Sequence, residues 1–90
     1  SLGGTLEGGK PLLSRTIGCW TPESEVADIL RQVEARHDQC QIGSYPFFRE
    51  GKVGADFVVR STEETALAAC VDDLVASLGA AGREVVRGAA

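Results

Sequence analysis

Two short groups of polar residues in this 90-residue chain have spacings that could support chemistry. His37 and Cys40 form an H-x-x-C pair, a spacing that zinc ligands use. Structural zinc sites take four ligands, however, and the sequence offers no second pair at a suitable spacing. Glu23 and Glu25 could act as metal ligands or as a general acid and base. Both also follow Pro22 at the predicted start of a helix, where the positive end of the helix dipole favours acidic side chains.

The segment GKVG at residues 51–54 fits the G-x-x-G loop with which KH domains hold an RNA backbone. In that domain the loop joins two helices, and the amides of the second helix can bind phosphate. Here the flanking residues, 45–48 and 57–59, are aromatic or β-branched apart from Pro46 and are typical of strands. Glycine supplies the positive φ that a hairpin turn needs. The segment therefore predicts a turn between two strands.

The charge of the chain disfavours nucleic acid as a partner. Nine Lys and Arg residues against thirteen Asp and Glu residues give a net charge of −4. Nucleic-acid modules usually carry the opposite balance, because phosphate contacts dominate their affinity. No two basic residues are adjacent, and no apolar run approaches the ~20 residues that span a bilayer. We therefore expect neither nucleic acid nor a membrane as a partner.

The three cysteines predict reduced thiols. Cys19, Cys40 and Cys70 are odd in number, and no two of them form a C-x-x-C pair. This pattern disfavours a disulfide framework and a zinc cluster, and it fits a cytoplasmic protein. Cys70 falls on the apolar stripe of a predicted helix, where a free cysteine packs as a small hydrophobic side chain.

The positioning elements follow from the hydrophobic periodicity, which predicts the order β-α-β-β-α-β. The predicted strands cover 12–20, 41–49, 55–60 and 83–87, and the predicted helices cover 21–37 and 61–79. Thr21 and Pro22 predict the N-cap and first position of the first helix. Ser61 and Glu64 predict a capping box at the second, which Gly79 or Gly82 is expected to end.

This order is that of a ferredoxin-like α+β fold, a four-stranded antiparallel sheet with two helices on one face. Its first and third strands are central, and its second strand lies at an edge. Pro46 cannot donate to a strand ladder, which places the second strand at an edge on independent grounds. Residues 1–10, with four glycines, predict a linker or the exit from a preceding domain. We expect the domain itself to cover 11–88, with a tail at 89–90.

The segments GCWTPESE at 18–25 and IGSYP at 42–46 resemble the C-terminal part of CinA-like, molybdopterin-binding-domain proteins. They are also similar to the corresponding region of the molybdopterin-binding-like domain in eukaryotic FAD synthases. The resemblance implies a MoaB/MogA-like domain that precedes this one. Some such proteins hydrolyse ADP-ribose or FAD with a divalent metal, so the parent protein is expected to bind a molybdopterin-like or nucleotide ligand. The active motif of the family lies in the N-terminal domain, so the resemblance implies no catalytic residue and no cofactor in this chain.

Two functions from different classes follow. The first is a non-catalytic accessory or oligomerisation domain that packs on the MoaB-like domain or forms a homodimer. The second is a stand-alone ligand-binding or KH-like RNA-binding module, because sheets of this topology can present a binding face. We expect the first, because RNA-binding sheets display central aromatic side chains in basic surroundings. Here Phe57 is the one aromatic residue clearly within a central strand, and its side chain is expected to face the helices.

The expected interaction face lies at the ends of the predicted elements. Its residues are Trp20, Glu23, Ser24, Tyr45, Phe47, Phe48 and Arg49. Core packing is the alternative for Trp20 and Tyr45, because each buries a large apolar area. Phe47 and Phe48 are adjacent in a strand and point to opposite faces, so only one of them is expected to enter the core. The other is expected to contact a neighbouring domain, a second copy or the N-terminal segment.

Overall fold

A computed structural model describes residues 9–86, and it contains one antiparallel sheet with the strand order β2-β3-β1-β4. In chain order the elements are β1 (Leu13–Cys19), a 3₁₀ turn (Glu23–Glu25), α1 (Ala27–Arg36), β2 (Gln41–Arg49), β3 (Lys52–Ser61), α2 (Glu64–Ala80) and β4 (Val85–Val86). The predicted ferredoxin-like α+β fold is confirmed, with β1 and β3 central and β2 at an edge. Most of the predicted linker at 1–10 and the whole predicted tail at 89–90 lie outside the described residues.

The core lies between the two helices and one face of the sheet. Ile17 and Cys19 of β1 and Phe57 and Val59 of β3 point to this face and are buried. The helical side of the core consists of Val26, Leu30, Val33, Leu67, Cys70, Leu74 and Leu78. Phe57 therefore faces the helices, and Cys70 is packed as predicted. No helix within residues 9–86 is long and apolar enough to cross a membrane.

The turn between β2 and β3 is tighter than the sequence indicated. Glu50 and Gly51 both have positive φ, 55° and 76°, as in a type I′ turn. The predicted start of the third strand at residue 55 is wrong, because β3 begins at Lys52 and Arg49 already pairs with it. Strands rather than helices flank the GKVG segment. The hairpin interpretation is thus confirmed, and the KH-type arrangement is not present.

The predicted cap of the first helix is wrong. The Thr21 hydroxyl donates a hydrogen bond to the Pro22 carbonyl oxygen at 3.1 Å instead of accepting one from a helix amide. Pro22 has an extended backbone (φ −65°, ψ 140°), and the chain passes through a 3₁₀ turn before α1 begins at Ala27. Val26, between the two, is completely buried with a non-helical φ of −121°. Core packing of this side chain overrides the local helix signal.

The capping box predicted for α2 is also wrong. Ser61 Oγ accepts a hydrogen bond from the Glu63 amide at 3.0 Å, and the residue that precedes the helix is Glu63. Ser61 cannot act as the N-cap because it is the last residue of β3, where it is buried and pairs with Leu13. Strand pairing therefore holds the serine two residues away from the cap position.

The end of α2 follows the glycine prediction. Gly82 has a φ of 76°, which places it in the left-handed region. The Arg83 amide donates to the Leu78 carbonyl and the Gly82 amide to the Gly79 carbonyl, both at 3.0 Å. These two bonds form a Schellman motif, in which a left-handed glycine stops the helix. Gly82, rather than Gly79, ends α2.

Candidate interaction face

The side of the sheet that faces away from the helices, here called the open face, carries the alternate side chains of the strands. Its aromatic and charged side chains within the strands are Tyr45, Phe47, Arg49, Lys52, Asp56 and Arg60. Trp20 follows β1 directly and joins this set. The open face thus brings together Trp20, Tyr45, Phe47 and Arg49 of the predicted interaction residues.

Trp20 and Phe47 form an edge-to-face aromatic pair. Their ring centroids lie 5.4 Å apart with an interplanar angle of 79°, a favoured geometry for aromatic rings. Phe47 pairs with Gly54 across the hairpin, and a Cβ atom at Gly54 would lie only 2.4 Å from the Phe47 ring. The missing side chain of Gly54 therefore gives the ring the space to lie flat on β3 and to reach Trp20.

Basic side chains cover both rings. The Arg49 guanidinium carbon lies 4.3 Å from the Phe47 centroid, and the Lys52 ammonium lies 5.2 Å from the Trp20 centroid. Both distances are within the range of cation–π attraction, which contributes about 0.5–1 kcal/mol at exposed sites. The result is a layered cluster at the hairpin, with an aromatic pair beneath and two cations above it.

The third cation of the open face lies at the other end of β3. Arg60 Nη2 donates a weak hydrogen bond to the Tyr45 hydroxyl at 3.4 Å. Tyr45 lies over Gly43, since a Cβ atom at that glycine would be 3.2 Å from the ring. Two aromatic rings therefore pack over two glycines of the open face.

Phe48 lies on the opposite face of the hairpin. It is 70% exposed and pairs across the strands with Val53, which is 47% exposed. Neither Phe47 nor Phe48 enters the helix-packed core, so the expectation that one of them would do so is wrong. The reason is the length of the hairpin: β1 pairs with β3 only as far as Ala55, and the next residues extend beyond it.

Glu23 and Ser24 do not join the open-face cluster through any described contact. Both lie in the 3₁₀ turn, and within residues 9–86 neither side chain forms a hydrogen bond or an ion pair. Glu25 forms an ion pair with Arg83 at 2.7 Å, which ties the turn to the segment before β4. Of the two glutamates, Glu25 therefore forms an ion pair within the fold, whereas the Glu23 side chain forms none within residues 9–86.

The H-x-x-C pair is divided between two partners on α2. His37 Nε2 lies 2.8 Å from Asp73 Oδ2, whereas Cys40 Sγ donates to the Ala66 carbonyl oxygen at 3.4 Å.

Burial raises the pKa of the Cys70 thiol to about 12, and the neighbouring Cys40 adds to this effect. A thiol with so high a pKa is a poor nucleophile. Within residues 9–86, no group of three or more His, Cys, Asp or Glu side chains could hold a metal ion.

Lys52 and Arg60 belong to the open face but were not among the predicted interaction residues. Period-2 alternation along β3 places Lys52, Gly54, Asp56 and Arg60 on one side, so the signal was present in the sequence. The alternation was missed because the third strand was predicted to begin at Ala55, which placed Lys52 in the turn before it.

These features define a small ferredoxin-like domain whose exposed aromatic and basic side chains are grouped on an open sheet face. The family model described as FAD synthase, middle domain, matches residues 11–85, and the chain belongs to this family. The match supports the FAD synthase part of the sequence resemblance and does not support a C-terminal domain of CinA-like proteins. Comparisons with curated proteins and with solved structures gave no match.

Proposed function

We propose that this chain is a non-catalytic accessory domain of a longer FAD synthase-like protein, and that it packs against another domain of that protein. The observation that carries the proposal is the hairpin β2–β3, which exposes apolar side chains on both faces. Phe48, Tyr45 and Val53 are 70%, 50% and 47% exposed, respectively. Grouped apolar side chains of this kind mark interaction sites, and aromatic residues and arginine are enriched in the interfaces that cover them.

On this proposal the chemistry belongs to other domains of the parent protein. The name of the family indicates a parent that makes FAD, and the sequence resemblance adds hydrolysis of nucleotide pyrophosphates with a divalent metal. The nucleotide and the metal would then bind outside this chain. The three free cysteines are buried in the fold and support a cytoplasmic protein. A second copy of the chain is a further partner for the exposed hairpin.

The alternative, a ligand- or RNA-binding module, has one observation in its favour: Arg49, Lys52 and Arg60 all lie on the open face. Proteins that bind single-stranded nucleic acid stack bases on exposed aromatic rings. Here Arg49 and Lys52 already lie over the rings of Phe47 and Trp20. RNA affinity tighter than about 1 μM with a log-linear salt dependence would favour the alternative.

Amide hydrogen exchange tests the accessory function. The exchange of residues 46–54 is measured in the isolated chain and in the full-length FAD synthase-like parent. We expect slower exchange in the parent, because a neighbouring domain covers the hairpin, and equal exchange in α2, whose buried side faces the core in both. Identical hairpin exchange in the two proteins would contradict the proposal.

A further inference from the structure

The ion pairs of the domain are unevenly distributed. Among residues 9–86, four Lys and Arg side chains form ion pairs with carboxylates, namely Lys10 with Glu63, Arg31 with Asp28, Arg36 with Asp73, and Arg83 with Glu25. Within residues 9–86, the remaining cations have no carboxylate within 4.0 Å; they are Arg15, Arg49, Lys52 and Arg60. Three of these four are on the open face.

The open face therefore has a charge opposite to that of the whole chain. Its strands carry Arg49, Lys52 and Arg60 but only one carboxylate, Asp56, which gives a net charge of 3 − 1 = +2. The complete chain has a net charge of −4. The domain is thus polarised, because three of the four unpaired cations within residues 9–86 lie on the face that no helix covers.

Aromatic contacts hold these cations in place without neutralising them. Arg49 lies over Phe47, Lys52 over Trp20, and Arg60 on the Tyr45 hydroxyl. A quadrupole or a hydroxyl orients a cation but leaves its full charge to a partner. Side chains that are already ordered lose less conformational entropy when they bind a partner, so these cations are preorganised for binding.

The composition of the face favours a protein partner. Its centre is aromatic, with Tyr45 over Gly43 and Phe47 over Gly54, and its cations contact these rings and that of Trp20. Aromatic residues and arginine together are the types most enriched among the residues that dominate binding energy at protein interfaces. A stacked nucleobase would first have to displace the cations that cover the rings.

Two other occupants are disfavoured by contacts within the domain. A second copy that used the same face would bring together two surfaces of net charge +2, and like charges across an interface are costly. Strand addition at the free edge of β2 is hindered, because the Ile42 amide already donates to Glu34 Oε2 at 2.9 Å. Alternate amides point outward from an edge strand, and on that side Pro46 has no amide hydrogen.

From this charge pattern we infer that the open face binds a carboxylate-rich surface of another domain of the parent protein. The inference rests on the proposed accessory function and names the chemistry of its partner. Arg49, Lys52 and Arg60 would pair with aspartate or glutamate side chains of the partner, and the aromatic centre of the face would contact apolar groups between them.

Zero-length cross-linking in the full-length parent tests the inference. A water-soluble carbodiimide joins a lysine amine directly to a carboxylate that it contacts. This chain contains only two lysines, Lys10 and Lys52. Lys10 Nζ lies 2.6 Å from Glu63 Oε2, so the Lys10–Glu63 product is an internal positive control. We expect mass spectrometry to find Lys52 joined to an aspartate or glutamate of a different domain.

A second cross-linking experiment uses charge variants of the parent protein. In the parent that carries Arg49→Gln and Arg60→Gln, we expect the yield of the Lys52 product to fall at least threefold, because the partner surface loses two of its three counterions. The matched control is Arg15→Gln with Arg31→Gln, which removes the same charge outside the open face. In this control the yield should remain within about 30% of wild type, and the Lys10–Glu63 product should be equal in all three proteins.

The outcomes separate the inference from the proposed function. If residues 46–54 are protected from exchange in the parent but Lys52 joins no carboxylate of another domain, docking stands and the acidic partner is wrong. An unchanged yield in the Arg49/Arg60 variant would also overturn the role of these cations. If the hairpin shows neither protection nor a cross-link, the accessory function fails and the inference fails with it.

Discussion

Arg36 on α1 binds Asp73 on α2 through two parallel hydrogen bonds, Nε to Oδ2 at 2.9 Å and Nη2 to Oδ1 at 3.0 Å. His37 Nε2 lies 2.8 Å from the same Oδ2, and the Ser77 hydroxyl donates to Oδ1 at 3.1 Å. The hydrogen bonds from Arg36, supported by those from His37 and Ser77, hold the pKa of the Asp73 carboxyl well below its usual range. One carboxylate thus links the two helices.

This link predicts an acid-sensitive part of the stability. A carboxyl whose pKa is lower in the folded state stabilises the fold fully above its unfolded pKa of about 3.9, and this contribution is lost as the pH falls further. Asp73→Asn should lower the urea midpoint at pH 7 and flatten the decline of stability between about pH 5 and pH 2. The control is Asp72→Asn, an exposed neighbour without an ion pair among residues 9–86. Equal midpoints for Asp73→Asn and wild type at pH 7 would contradict the prediction.

Gly54→Ala should destabilise the domain by about 1–3 kcal/mol, the usual range for overpacking. The new methyl group would meet the Phe47 ring at 2.4 Å and the Cys19 carbonyl oxygen at 3.0 Å, so the ring must leave its place on Trp20. Denaturant unfolding measures the loss, and the fluorescence of Trp20, the only tryptophan, should change in the folded state.

The control for this substitution is Gly79→Ala in α2. No atom lies within 4 Å of a Cβ at that position, so alanine should be neutral or stabilise the helix by about 0.5 kcal/mol. If Gly54→Ala and Gly79→Ala had the same stability, the close packing of Phe47 on Gly54 would not be required by the fold.

Phe48→Ser should abolish self-association of the isolated chain. Phe48 is 70% exposed beside Val53, and in the isolated chain this apolar surface is expected to form a weak homodimer at high concentration. Sedimentation equilibrium should show concentration-dependent association for wild type and for the control Val75→Ser, which alters an exposed apolar side chain on α2. A strictly monomeric wild type would show that the hairpin does not bind a second copy.

The isolated chain should hydrolyse neither ADP-ribose nor FAD. The sequence resemblance implies that the active motif of such proteins belongs to a preceding domain, and no group of three metal-ligating side chains occurs within residues 9–86. The assay adds Mg²⁺ or a transition metal. The Gly54→Ala variant, purified separately and assayed in parallel, serves as a control for contaminating activity. Turnover that exceeds the blank and stays constant through purification would contradict the prediction.

The topology could be predicted because each signal that sets it is local. Alternation defined the strands, and Pro46 placed β2 at the edge, where the structure has it. The errors occur where tertiary structure overrides a local preference. Val26 leaves the helical conformation to enter the core, and Ser61 is held in β3 instead of capping α2. Glu50 adopts a positive φ, which is uncommon for a residue with a side chain, so the turn is shorter than expected.

Of the aromatic and charged residues on the open face, only Trp20 and those of β2 could be predicted from the sequence. Its geometry joins Trp20 to Phe47, 27 positions later in the chain, and no periodic signal reports such a contact. The charge of the face was also hidden, since it depends on which cations find carboxylates in space. Arg31 pairs within its own helix, whereas Lys52, on the hairpin, has no carboxylate partner among residues 9–86.

The short β4 has a mechanical consequence for a domain joined to others. Among residues 9–86, β4 pairs with β1 at two positions, Gly18 with Val86 and Cys19 with Val85, whereas β1 pairs with β3 at seven. Tension on the segment after Val86 would load the pair of Val86 with Gly18 first and the pair of Val85 with Cys19 next. Over these described pairs β4 is held by fewer contacts than β3, so we expect it to separate from β1 under tension before β1, β2 and β3 unfold.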